Sequence, residues 1–101
     1  MKVANLAILA TIEAKPAHAA DVEALLKSAV ELANREAGTT TWFAFKLSDT
    51  RFGIFDTFAD DDGRHDHLNG AIARALMNKA DEWLAQSPEI MMADVLAAKL
   101  A

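Results

Sequence analysis

Residues Phe52–Met77 read FGIFDTFADDDGRHDHLNGAIARALM. Phe52–Phe58 is apolar and aromatic, the composition of a strand. Asp60, Asp61 and Asp62 follow. A side-chain oxygen here can accept from the free amides of a helix's first turn, and negative charge suits the positive end of the helix dipole. A short helix is therefore expected from Asp60 or Asp61 to about Asn69, with Gly70 kinking the chain. Ile72, Ala73, Leu76, Met77, Ala80, Trp83 and Leu84 then form one apolar stripe at helical spacing. The stretch reads as strand, short helix, break and long helix.

Upstream, Val3–Ile12 is apolar on both parities, as in a strand buried on both faces. Lys15-Pro16 turns the chain, proline suiting the first turn of a helix. Val22, Leu25, Leu26, Ala29, Val30 and Ala33 predict an amphipathic helix closed by Gly38. Thr39–Leu47 is β-branched and aromatic and reads as a second strand, and Ser48–Arg51 connects it to Phe52–Phe58 as a hairpin. Downstream, Gln86-Ser87-Pro88 ends the long helix, and Ile90–Leu100 predicts the last strand. The order β-α-β-β-α-β is the split βαβ of an α+β, ferredoxin-like fold: an antiparallel four-stranded sheet with two helices on one face. At 101 residues the chain is expected to be a single domain over residues 1–101.

The chain is 52% hydrophobic with a formal net charge of −5. It has no basic run, so neither nucleic acid nor an anionic membrane is an expected partner. It has no cysteine, which excludes disulfides, thiolate nucleophiles, Fe–S clusters and cysteine zinc sites, and suits a cytoplasmic location. The VANLAILATI run with Ala17-His18-Ala19 imitates a signal peptide. The single Lys2, the interruption at Asn5 and the closely following Glu13 and Lys15 favour a buried strand. No apolar run reaches the roughly 20 residues that span a bilayer.

Two helices cover one face of a four-stranded sheet but not both. The large apolar residues on both parities of the first and last strands, with Phe43, Phe45, Phe52, Phe55 and Phe58, leave a surplus for the open face. A homodimer packed through that face is the simplest way to cover it.

The element order, the Phe52–Phe58 strand, the acidic cap and the Asp66-His67-Leu68 turn resemble the antibiotic biosynthesis monooxygenase family, whose members are dimeric α/β-barrel proteins. The resemblance covers nearly the whole chain and implies a pocket between helices and sheet in each subunit. It implies a cofactor-independent monooxygenase, with no metal or flavin, that oxidises a small phenolic or quinol-type aromatic with O₂. Such an enzyme must deprotonate the phenol, hold a flat ring and stabilise charge in a dry pocket. His67 is the candidate catalytic base; Asn5, Trp42 and Trp83 are candidate substrate-binding donors and walls. On a helix, the neighbours of His67 at i−4, i+3 and i+4 are Gly63, Gly70 and Ala71, small enough to leave room for a ligand.

Other readings stand beside this one. A non-catalytic dimeric module binding a small hydrophobic ligand is the alternative from another class, with His67 then a partly buried structural residue. Haem-degrading relatives pair a first-strand asparagine, which Asn5 matches, with a tryptophan and a histidine. His67 falls where their tryptophan is expected and Met77 where their haem ligand is, so the iron ligand is missing. The chain has no tyrosine, which polyketide-oxidising members use. His65 and His67 with Asp61, Asp62 and Asp66 suggest a metal site, but residues two apart on a helix diverge. No metal is expected.

Overall fold

The computed structural model describes residues 5–101. Strand β1 (Leu6–Glu13) leads through a short 3₁₀ turn at Pro16–His18 into helix α1 (Ala19–Asn34). Strands β2 (Thr39–Lys46) and β3 (Arg51–Phe58) form a hairpin. Helices α2 (Asp61–Leu68) and α3 (Ala71–Trp83) follow, and β4 (Glu89–Asp94) completes the chain's regular elements. The sheet order is β2-β3-β1-β4, antiparallel throughout. This is the expected ferredoxin-like α+β fold.

Alternation sorts the residues of the sheet. In the β1–β3 ladder, Ile8 opposes Asp56, Ala10 opposes Ile54 and Ile12 opposes Phe52, all on the helix-covered face. The core forms where Ala10, Ile12, Phe52 and Ile54 meet Val22 and Leu26 of α1 and Leu76 of α3. A smaller cluster, Ala29, Ala33 and Ile72, joins the two long helices, and Trp42 packs against both clusters. Full burial of each large core side chain contributes about 1.5–3 kcal/mol.

The opposite face carries Leu9, Phe43, Phe45, Phe55 and Met91 and is open: Phe43 is 57% and Met91 48% exposed. Position 53 faces this side too, opposite Phe45, and is a glycine where a Cβ would sit 2.4 Å from the Phe45 ring. The cross-strand aromatic uses the space that a side chain would fill.

Two expected boundaries move. The last strand ends at Asp94 instead of Leu100, and Leu96 and Leu100 are exposed. Its register on β1 brings Asp94 to Leu6, and the amide of Val95 donates to the carbonyl of Asn5, the first described residue, at 2.9 Å. The first strand, expected from Val3, falls partly outside the described residues. Helix α1 stops at Asn34, with Arg35 still in the helical region and no positive φ among the described residues, so Gly38 is not a left-handed cap. Gly38 is required by a close approach. A Cβ on it would lie 2.6 Å from the Cα of Gly63 in α2.

Candidate functional site

Helix α2 is short and polar, so its position is set at its ends. Asp60 is the N-cap, its Oδ1 accepting from the Gly63 amide at 2.8 Å. Such a cap contributes about 1 kcal/mol. The glycine contact between Gly38 and Gly63 brings the first turn of α2 against the α1–β2 connection. About one turn after Gly63, His67 points inward and is 8% exposed, while His65 faces solvent, where its ring and carbonyl meet the Asn69 amide group. The two histidines diverge as their spacing requires. Among the described residues no three metal-ligating side chains are placed so that they could hold a metal ion together.

His67 is held between two carboxylates. Its Nδ1 lies 2.6 Å from Glu36 Oε1, and its Nε2 lies 2.8 Å from Asp56 Oδ2. The Phe58 ring packs beside it, centroids 5.2 Å apart. Glu36 is set by its place in the α1–β2 connection and by the Thr39 hydroxyl, which donates to Oε1 at 2.7 Å. Asp56 is on the inward parity of β3 and 1% exposed. Burial is the largest single influence on the imidazole and pushes its pKa down. The attraction of the two carboxylates, Asp56 before Glu36, together outweighs it, so His67 titrates above its ordinary value of about 6.5.

Asp56 is under-satisfied. The contact with Nε2 is an ion pair outside hydrogen-bond alignment, and neither carboxylate oxygen has an aligned donor. Directly opposite on β2 stands Trp42, whose Nε1–H is also buried without an acceptor. Buried polar groups without partners are uncommon, so a donor and an acceptor left over on opposed residues are informative. A hydroxyl can accept from one and donate to the other.

Two recesses lie nearby, one beside His67 and one beside Trp42. A cavity of about 390 Å³ is lined by Glu36, Gly38, Gly63, Asp66, His67, Gly70 and Ala71, among others. The small residues around His67 do leave space beside the ring. A larger groove of about 520 Å³ runs between α1 and β2, lined by Leu26, Val30, Trp42, Phe43, Phe45 and Phe52. Glu23, Lys27 and Lys46 also line it, with Glu23 bonded to both lysines at 3.1 Å. These bonds hold the half-buried Glu23 carboxyl below the usual range.

The structure brings Trp42 and His67 together around Asp56. Asn5 is exposed just before β1. Trp83 is at the other end of β1, near the Ala14–Leu84 bridge, stacked on His18 and beneath Lys79, with its Nε1–H donating to Glu82. Glu36 and Asp56 are the site residues that sequence reading missed. Asp56 carried a usable signal: a lone acid at inward parity between Ile54 and Phe58.

No family model and no curated protein matches the sequence. Among solved structures, a protein of unknown function from Nitrosomonas europaea superposes with a TM-score of 0.95 at 48% identity, over 100% of this chain and 98% of that one. Two proteins described as candidate antibiotic biosynthesis monooxygenases also superpose. That from Nitrosomonas europaea has a TM-score of 0.81 at 14% identity, over 95% of this chain and 94% of its own. That from Caulobacter crescentus has a TM-score of 0.78 at 19% identity, over 95% and 93%. The chain therefore has the fold of proteins described as antibiotic biosynthesis monooxygenases.

Proposed function

We propose that the protein is a cofactor-independent monooxygenase acting on a small phenolic or quinol-type aromatic with O₂. The observation that carries this reading is the sharing of Trp42. The same residue lines an apolar groove of about 520 Å³ and opposes Asp56 of a buried acid–base cluster. The groove falls within the range of about 300–1,000 Å³ usual for small-molecule sites. Its aromatic walls suit a flat ring, and the Glu36–His67–Asp56 cluster supplies titratable groups in a dry setting. A phenolate formed there is electron-rich enough to reduce O₂ directly, so the protein's task is deprotonation, orientation and exclusion of water. We further propose that the open face of the sheet closes on a second copy. Sedimentation equilibrium at micromolar concentration is expected to show the dimer, and a stable monomer would contradict it.

Oxygen uptake with a panel of naphthols, anthrones and quinols tests the activity. The native protein is expected to consume O₂ with at least one member, and His67→Gln to consume it at least about 10²-fold more slowly, the lower end of general acid–base contributions. No uptake by the native protein, or equal uptake by the variant, would leave the second reading, a binding module without turnover. One observation favours that second reading: both nitrogens of His67 are already engaged by carboxylates.

A further inference from the structure

A histidine with both nitrogens engaged is poorly placed to take a proton from a ligand itself. It is well placed to pass one on. The three side chains of the cluster form a line of decreasing exposure: the Glu36 side chain is 21% exposed, His67 9% and Asp56 1%. The two steps along it are 2.6 Å and 2.8 Å. The outer end opens on the cavity lined by Glu36 and His67. The inner end is a buried carboxylate whose Oδ1 has no partner, directly opposed to Trp42.

We propose that Glu36, His67 and Asp56 form a proton relay between solvent and the interior, and that Asp56 takes the proton from the hydroxyl of the bound aromatic. This deepens the monooxygenase reading and rests on it for the identity of the ligand. The hydroxyl accepts from Trp42 Nε1–H and donates to Asp56 Oδ1, satisfying both unpartnered groups. Its O–H bond breaks, the proton passes to Oδ1, and the electron pair stays on the substrate oxygen as phenolate. The imidazolium of His67 releases its Nδ1 proton to Glu36, which passes it to solvent at the cavity.

Before transfer the cluster holds two carboxylates and one imidazolium. Afterwards it holds one carboxylate, one neutral imidazole and one carboxylic acid. Its net charge is −1 in both states, so the relay itself gains no charge and the substrate oxygen alone carries the new one.

The test uses the full-length protein and two readouts. In the first, exchange of the His67 Nδ1 proton with solvent is measured by NMR. The native rate is expected to exceed that of the core amides of β1 and β3. Glu36→Gln, which keeps an acceptor but cannot carry a proton, is expected to slow this exchange at least tenfold, and Glu36→Asp to restore part of it. An unchanged rate in Glu36→Gln, or a native rate equal to that of the core amides, would overturn the relay. In the second, with any panel member that supports oxygen uptake, Glu36→Gln is expected to lower kcat at least tenfold with KM unchanged. Added imidazole or formate is expected to recover activity as a substitute proton carrier. Loss of activity without such rescue would mark Glu36 as merely structural and overturn the relay. If the native protein consumes no oxygen, the monooxygenase reading fails, while the exchange measurement still decides the relay.

Discussion

His67→Ala is expected to remove about 3–5 kcal/mol of stability, the cost of leaving a buried charge without its partner. The reason lies in the neighbours. Asp56 is 1% exposed, and its contact to His67 is the only favourable charge interaction found for it among the described residues. Without the imidazolium, that carboxylate and Glu36 face each other across a hole. Domains of this size have about 5–15 kcal/mol in total, and the loss corresponds to a fall in Tm of roughly 15 °C or more. His65→Ala is the control. That ring is exposed two residues away, and its loss is expected to cost no more than about 0.5 kcal/mol. The difference depends on pH with a definite sign. The folded-state pKa of His67 is raised, so the stabilisation is complete below about pH 6.5 and is lost as pH rises through the raised value. Urea unfolding at pH 6 and pH 9 is therefore expected to show the native protein losing stability at the higher pH and the gap to His67→Ala narrowing. Equal losses for His67→Ala and His65→Ala at pH 6 would show that the cluster does not stabilise the fold.

Gly38→Ala is expected to cost about 1–3 kcal/mol, as for a side chain forced into filled space. The new Cβ would meet the Gly63 Cα at 2.6 Å, with further Gly63 backbone atoms at 3.6 and 3.7 Å. Backbone cannot rotate away, so α2 must move as a body, taking His67 with it. Gly53→Ala makes a discriminating comparison, because its Cβ would come even closer to another atom, 2.4 Å from the Phe45 ring. That ring is 37% exposed on the open face and can swing outward. The smaller loss is expected at Gly53 despite the shorter distance. Thermal unfolding of both variants checks the ranking, and the reverse order would show that α2 is loosely held.

Much of this architecture was legible in the sequence, and the parts that were not share a cause. Apolar patterning located the strands and the two long helices, because each buries one face or two and the pattern is local. The Asp60 cap was legible because capping depends on residues three apart. What defines the site is not local. Glu36, Asp56 and His67 come from a loop, a strand and a helix, and no spacing rule relates them. His67 was found through its small neighbours and through family likeness, whereas its partners require the tertiary fold. Asn5 and Trp83 were plausible by residue type, but β1 separates them by its whole length. The end of β4 was misjudged because apolar content signals burial, while a strand also needs a ladder partner.

The two outer strands have a consequence for how the protein can associate. A sheet that joins another edge to edge exposes a fresh edge and can grow without limit, whereas one that joins face to face uses up the surface and stops. β4 is six residues long, with Glu89 and Asp94 at its ends, and β2 is irregular between Thr39 and Thr41 and ends at Lys46. Short length, terminal charge and a break in register all hinder extension along the ladder. The greasy surface, in contrast, is unguarded. Self-association of this chain is thereby directed toward a closed, countable assembly and away from fibres.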